Sequence, residues 1–186
     1  PAIVSKAFEV AGKLIQCQFD DKLTKANPTA ACTCVRAGYC LLSGVLTMGI
    51  DAIIPHVTTI FSVWQSSSMA VLPGVSKLSA THDLMCVETM LSSVVCFLKF
   101  CPNLLLAVPD ALTRLTAILE KIFPLISSGG KFEAEKSTPV GRSRLSSARA
   151  CVMEAYSWLP PGSFPMSADR IFSFAVSQIQ ELTEND

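Results

Sequence analysis

Apolar residues recur along this chain at helical spacing, in stretches separated by polar, glycine or proline breaks. Ile53, Val57, Ile60, Phe61 and Trp64 stand at i, i+4, i+7, i+8 and i+11, the spacing of one helical face. Arg36 to Leu42 carries an earlier helical pattern that breaks at Met48-Gly49. There Gly49 supplies a left-handed stop and Asp51 is placed to cap the next helix. Pro55 falls near that helix's first turn, where a missing N–H is tolerated. The predicted unit is a helical hairpin.

The same pattern runs through the rest of the chain. Ile3, Ala7, Val10, Ala11 and Leu14 repeat the offsets of Ile53 to Trp64, so residues 1–19 are expected to be the second helix of a preceding hairpin. Asp20-Asp21-Lys22 reads as a polar turn, and Asn27-Pro28 as N-cap and first residue of a helix. Hairpins are expected at about 28–67, 81–126 and 139–183, with 66–80 a loop and Ser79 or Thr81 the next cap. Leu84, Val87, Leu91, Val94, Val95 and Leu98 form the stripe of the second hairpin's first helix, which Cys101-Pro102 ends. Val108-Pro109-Asp110 opens its partner, with Leu112, Leu115, Leu119 and Ile122 on one face and Pro124 expected to kink or stop it. Ser127 to Val140 has mixed charge and glycine, and is expected to be a mobile loop. Leu145, Ala148, Val152, Ala155, Tyr156 and Leu159 make the next stripe, broken by Pro160-Pro161-Gly162. Ser163-Phe164-Pro165 opens a last helix, expected to bury Ile171, Phe174 and Ile179 and to fray after Leu182.

Pro55, Pro109 and Pro165 are spaced by 54 and 56 residues, and the positions six and nine residues beyond each are apolar. The period exceeds the roughly 40–47 residues of HEAT-type hairpins by the length of the two loops. The expected fold is therefore all-α: an α-solenoid of HEAT-like antiparallel helical hairpins, about seven helices, with 1–186 a single segment of a longer protein. Half of the 186 residues are apolar and 16% are charged, which favours stacked helices over a solvated rod.

Charge and chemistry narrow the function classes. Lysine plus arginine equals aspartate plus glutamate at 15 each, leaving no excess charge for nucleic acid. The eight cysteines lie in apolar helical pattern without a Cys-x-x-Cys pair, so free thiols in a reducing compartment are expected, with no metal site. Residues 52–76, free of Asp, Glu, Lys and Arg, contain Pro55, His56, Gln65, three consecutive serines and Pro73-Gly74, so no membrane span is expected there. Gly129-Gly130-Lys131 lacks the earlier glycine and the following Ser or Thr of a phosphate loop. His82-Asp83 reads as an exposed first-turn pair rather than an acid–base site. No catalytic residue and no cofactor is expected.

The candidate protein-binding residues are Trp158 and Phe172, which fall beside the stripes, and Arg142, Arg144 and Arg149, which with Lys131 and Lys136 would form a basic patch for an acidic partner. Glu133 and Glu135 dilute that patch, and a solvated face is its ordinary reading. Thr138-Pro139 is a candidate phosphorylation acceptor beside those arginines. The two ends of the array, at Ile3, Val10 and Leu14 and at Ile171, Phe174 and Ile179, are expected to leave apolar surface for self-association.

Arg36-Ala37-Gly38 with Leu42, Gly44, Thr47, Met48 and Gly49, then the proline-led helix ending in Trp64, resembles a segment of the HEAT-repeat-containing protein five family. Cys101-Pro102-Asn103-Leu104-Leu105, the stretch from Tyr156 to Pro161 and then Phe164 follow in the same order. The chain departs from that pattern at Gln65-Ser66-Ser67, where a charged continuation is expected. The resemblance implies a cytoplasmic, non-enzymatic accessory factor of clathrin-adaptor traffic, peripheral to the trans-Golgi network and endosomes, with aftiphilin-like and gamma-synergin-like protein partners. An unrelated HEAT- or armadillo-type scaffold, such as a transport receptor segment, and a small helical enzyme are the other classes.

Overall fold

The computed structural model describes residues 2–160, 163 and 168–183, and all regular structure among them is helical. Seven longer helices carry the fold: α1 (Ala2–Gln16), α3 (Pro28–Leu46), α5 (Val57–Ala70), α6 (Ala80–Phe100), α8 (Ala111–Ile126), α9 (Pro139–Ser157) and α10 (Ala168–Thr183). Between them lie the shorter α2 (Asp21–Ala26), α4 (Ile50–Ile53) and α7 (Leu104–Ala107). Local chemistry sets several starts. Asn27 accepts from the Ala30 amide ahead of Pro28, Ser79 accepts from the His82 amide, and Thr138 accepts from the Gly141 amide ahead of Pro139. Asp20 caps α2, a helix where a simple turn was expected.

The helices lie in two rows. In one, α3, α6 and α9 run side by side in the same direction. Thr29 meets His82 and Cys32 meets Cys86 near their starts, and the Cys101 thiol reaches the Leu46 carbonyl at their ends. Glu88 with Arg144, and Ser92 with Cys151, set the same register between α6 and α9. In the other row, Arg114 of α8 donates to Ser62 of α5. α1 lies beside α5 in the same direction, through Ser5 with His56 and Gln18 with Ser67. The bonds within these rows join residues 49 to 59 apart.

Helices of different rows run antiparallel. Trp64 of α5 donates from its indole N–H to Ser93 of α6, 2.8 Å away, and stands edge-on to Phe61 and Phe97. α1 crosses close to α3 because Gly38 has no side chain: a Cβ there would lie 2.7 Å from Ile15 Cγ1 and 2.8 Å from the Ala11 carbonyl oxygen. The core between the rows contains most of the stripes expected for α5, α6, α8 and α9, including Phe61, Trp64, Leu91, Leu98, Leu119, Val152 and Tyr156, and Ile53 of α4 joins it.

Several local expectations are corrected. The second helix of the first hairpin does not start cleanly at Asp51: Gly49 (φ 111°) precedes α4 without a side-chain cap, and Asp51 sits in the first turn. Pro55 then turns Ile54–His56 into a 3-10 segment before α5 begins. α5 continues through Ser66, Ser67 and Ser68 to Ala70, with Ser67 and Ser68 buried, so the loop is shorter than expected. Pro109 precedes α8 by two residues, Asp110 between them is left-handed at φ 60°, and Pro124 lies inside α8 without ending it. On α1 the buried face is Val4, Ala11 and Ile15, one position round from the expected stripe, and Ile3 and Val10 are exposed. Ile179 is likewise exposed on α10, while Phe174 is buried. Pro161, Gly162, Phe164 and Pro165 lie outside the described residues.

The largest correction concerns Ser127 to Val140, which is built into the core. Phe132 is 0% exposed, and its amide donates to the Leu125 carbonyl over 3.2 Å. Gly130 packs so closely on the end of α8 that a Cβ would lie 2.3 Å from the Pro124 carbonyl oxygen. Glu133–Ser137 then forms a 3-10 helix leading into α9. The segment is a structured strap over the end of the helical rows.

Candidate protein-binding surfaces

The strap is held by a charged network that spans the rows. Lys131 donates to the Val71 carbonyl over 2.7 Å and pairs with the carboxylate of Asp83, which also accepts from Ser76. Asp83 is buried in the first turn of α6 rather than exposed there. Burial pushes its carboxyl above the ordinary carboxylate range, opposed by the hydrogen bonds and charge from Lys131 and by Ser76. The apparent phosphate-loop lysine is thus a structural anchor for the start of α6.

The arginines do not form one patch. Arg149 is 1% exposed: its guanidinium donates to the Ile126 carbonyl over 2.7 Å, faces Glu133 at 3.5 Å and Gln178 at 3.4 Å, and lies over the Phe174 ring. Arg144 is half-buried against Glu88 at 2.7 Å, and Lys136 pairs with Glu133 at 2.9 Å. Arg142 is exposed, beside Pro139, Ser143 and Ser146 at the start of α9. Trp158 and Phe172 are exposed, at 43% and 70%, as their places beside the stripes imply.

A surface that sequence reasoning missed is the groove between α1 and α5, with a volume of about 850 Å³. Ile15 and Val63 give it an apolar lining, Thr59, Ser62 and Ser66 line it with hydroxyls along α5, and Phe19, Lys13 and Asp20 also border it. The register of the rows explains the opening. Between α5 and α8 the corresponding space is crossed by Arg114, whose guanidinium stands 5.7 Å from the Phe61 ring and donates to Ser62. One step earlier in the row the position matching Arg114 is the short Ser62, and the facing position on α1 is Gly12, which would have nothing within 4 Å of a Cβ. The sequence signal was there as Thr59, Ser62 and Ser66 at i, i+3 and i+7, a polar stripe beside the apolar one.

Among the described residues no group of three or more His, Cys, Asp or Glu side chains is placed to hold a metal ion. α3 is long and apolar enough by length and composition to cross a membrane, and it lies within the stack, with α1 and α6 packed along it. Comparison with protein-family models, with curated proteins and with solved structures finds no match to this chain.

Proposed function

We propose that the chain forms an α-solenoid of HEAT-like antiparallel hairpins and works as a non-enzymatic protein-binding scaffold. The observation that supports it is the shared register: at each interface within the two rows, bonded residues are separated by 49 to 59 positions, close to the 54 and 56 that separate the prolines. A stack whose neighbours repeat at one period leaves grooves between successive helices of a row, and such grooves are the ordinary binding surfaces of repeat proteins. The α1/α5 groove, bridged near its ends by Ser5 with His56 and Gln18 with Ser67, lies open between them. Its apolar lining and hydroxyls suit a short protein segment that anchors one apolar side chain and hydrogen-bonds through its backbone.

The resemblance of Arg36 to Gly49, Trp64, Cys101 to Leu105 and Tyr156 to Pro161 to the HEAT-repeat-containing protein five family supports a more specific role. That role is an accessory factor of clathrin-adaptor traffic at the trans-Golgi network and endosomes, with aftiphilin-like or gamma-synergin-like partners. A second reading, an unrelated helical-repeat scaffold, is favoured by one observation: Gly38 and Trp64, which carry much of the resemblance, serve packing. Purification of the tagged protein from cells, with and without Gly12→Arg, separates these readings. Arginine at position 12, on the α1 wall of the groove, fills it with a long charged side chain. Adaptor-associated chains that co-purify with wild type and are lost with Gly12→Arg support the adaptor role and the groove. Other chains lost in the same way favour the second reading, and partners unaffected by Gly12→Arg remove the groove from the account.

A further inference from the structure

We propose that Cys32 and Cys86 form a reversible disulfide that staples α3 to α6 when the protein meets a hydroperoxide. Their sulfurs are 3.8 Å apart, in contact across the interface, with the Cys86 thiol donating to Cys32. Both residues are buried, and both lie within the first two turns of their helices, at the end of the stack where helix termini open most readily. The two thiols are not equivalent. The Cys86 hydrogen bond and the positive charge of Arg36 and Arg144 draw Cys32 below the ordinary thiol range against its burial, while Cys86 is pushed up by its contact with Cys32 and by burial. Cys32 is therefore the nucleophile and Cys86 the resolving thiol.

The chemistry balances with one equivalent of hydroperoxide. The Cys32 thiolate attacks the terminal peroxide oxygen, the O–O bond breaks, and sulfenic acid forms; the leaving oxygen is protonated to water from hydrogen peroxide, or to the corresponding alcohol from an organic hydroperoxide. Cys86 Sγ then attacks the Cys32 sulfur, the S–O bond breaks, and hydroxide leaves with the Cys86 proton as water. Two thiols are oxidised and one peroxide is reduced. Dithiol reductants reverse the step by exchange.

Two other cross-helix pairs compete. Cys17 lies against Cys34 between α1 and α3, and Cys151 is near Cys96 between α6 and α9. The Cys17 thiol donates to the Lys13 carbonyl and Cys151 is in hydrogen-bond contact with Ser92, whereas the Cys32 thiol, which donates to the His82 carbonyl, accepts from Cys86. Of the three pairs, Cys32 with Cys86 is the one in which both residues are buried, with its sulfurs 3.8 Å apart.

The test treats the folded protein with equimolar hydrogen peroxide, alkylates it in denaturant and maps the peptides by mass spectrometry. Eight thiols alkylate in the reduced protein, all eight being free in the structure. The expected result after oxidation is loss of two labels and a linked Cys32–Cys86 peptide that dithiothreitol removes. In Cys86→Ser, with its helical circular dichroism intact, dimedone should trap Cys32 as sulfenic acid. If that variant does not fold, the wild-type linkage decides alone. Full labelling after peroxide, a linkage through Cys17–Cys34, Cys96–Cys151 or the exposed Cys40, or a loss that dithiothreitol does not reverse would overturn the proposal.

Discussion

Replacing Phe132 by alanine removes a ring that is 0% exposed, anchored between the end of α8 and the start of α9, from a segment whose composition is that of a mobile loop. A buried phenylalanine covers roughly 150–250 Å². At about 25 cal/mol per Å², that corresponds to roughly 4–6 kcal/mol for the whole side chain. Alanine retains its β-carbon, and the strap relaxes into part of the cavity, so the expected loss is about 3–5 kcal/mol, the range for buried phenylalanine truncation. In a domain of this size each kcal/mol shifts the midpoint by roughly 2–4 °C, giving about 6–20 °C. Thermal and urea unfolding followed by far-ultraviolet circular dichroism measure both quantities. Phe172→Ala, at a ring 70% exposed, is the matched control and should change stability by less than about 0.5 kcal/mol. Equal effects from the two substitutions, or a loss under about 1 kcal/mol for Phe132→Ala, would refute the strap as part of the core.

Trp64→Ala should lose about 3–5 kcal/mol in the same melts, because it empties the site between Phe61 and Phe97 and leaves Ser93 without its indole donor. Gly38→Ala should cost about 1–3 kcal/mol, since the new methyl meets the Ala11 backbone as well as the Ile15 side chain. Gly12→Ala, whose methyl meets nothing, should be neutral or stabilising by up to about 1 kcal/mol, and urea titration distinguishes the two glycines. Asp83 predicts a pH dependence. Its folded pKa is raised, so the native state binds more protons than the unfolded one in the window above about pH 4, and its contribution falls as pH rises through the raised value. Asp83→Asn should therefore show a flatter stability profile than wild type across that window, and a steeper one would reverse the sign.

The long amphipathic helices were legible because their burial is periodic: α6 has an apolar stripe four turns long, and Asn27-Pro28 and Ser79 cap where their chemistry directs. The strap was not legible, because a single anchor such as Phe132 has no period and its neighbours Lys131, Glu133 and Glu135 are polar. Arg149 was misread for a related reason. Its charge suggested solvent, whereas the carbonyl of Ile126, Glu133 and the Phe174 ring supply a buried site from three other parts of the chain. The faces of α1 and α10 slipped where apolar residues occupy more than one side, so spacing alone did not choose between Val10 and Ala11, or single out Phe174 over Ile179. The α1/α5 groove depends on what Gly12 lacks, and that absence becomes visible only once α1, α5 and α8 are aligned in one row.

Zero-length carbodiimide cross-linking, read out by peptide mass spectrometry, tests the shared register most directly, because it joins only amines and carboxylates already in contact. The local pairs of Glu9 with Lys6 and Lys13 serve as internal positive controls. The account predicts long-range links between Lys77 and Asp21, 56 residues apart, and between Lys99 and Glu154, 55 apart, both exposed enough to react and near opposite ends of α6. Recovery of the local links without these two, or long-range links scattered over other separations, would contradict it.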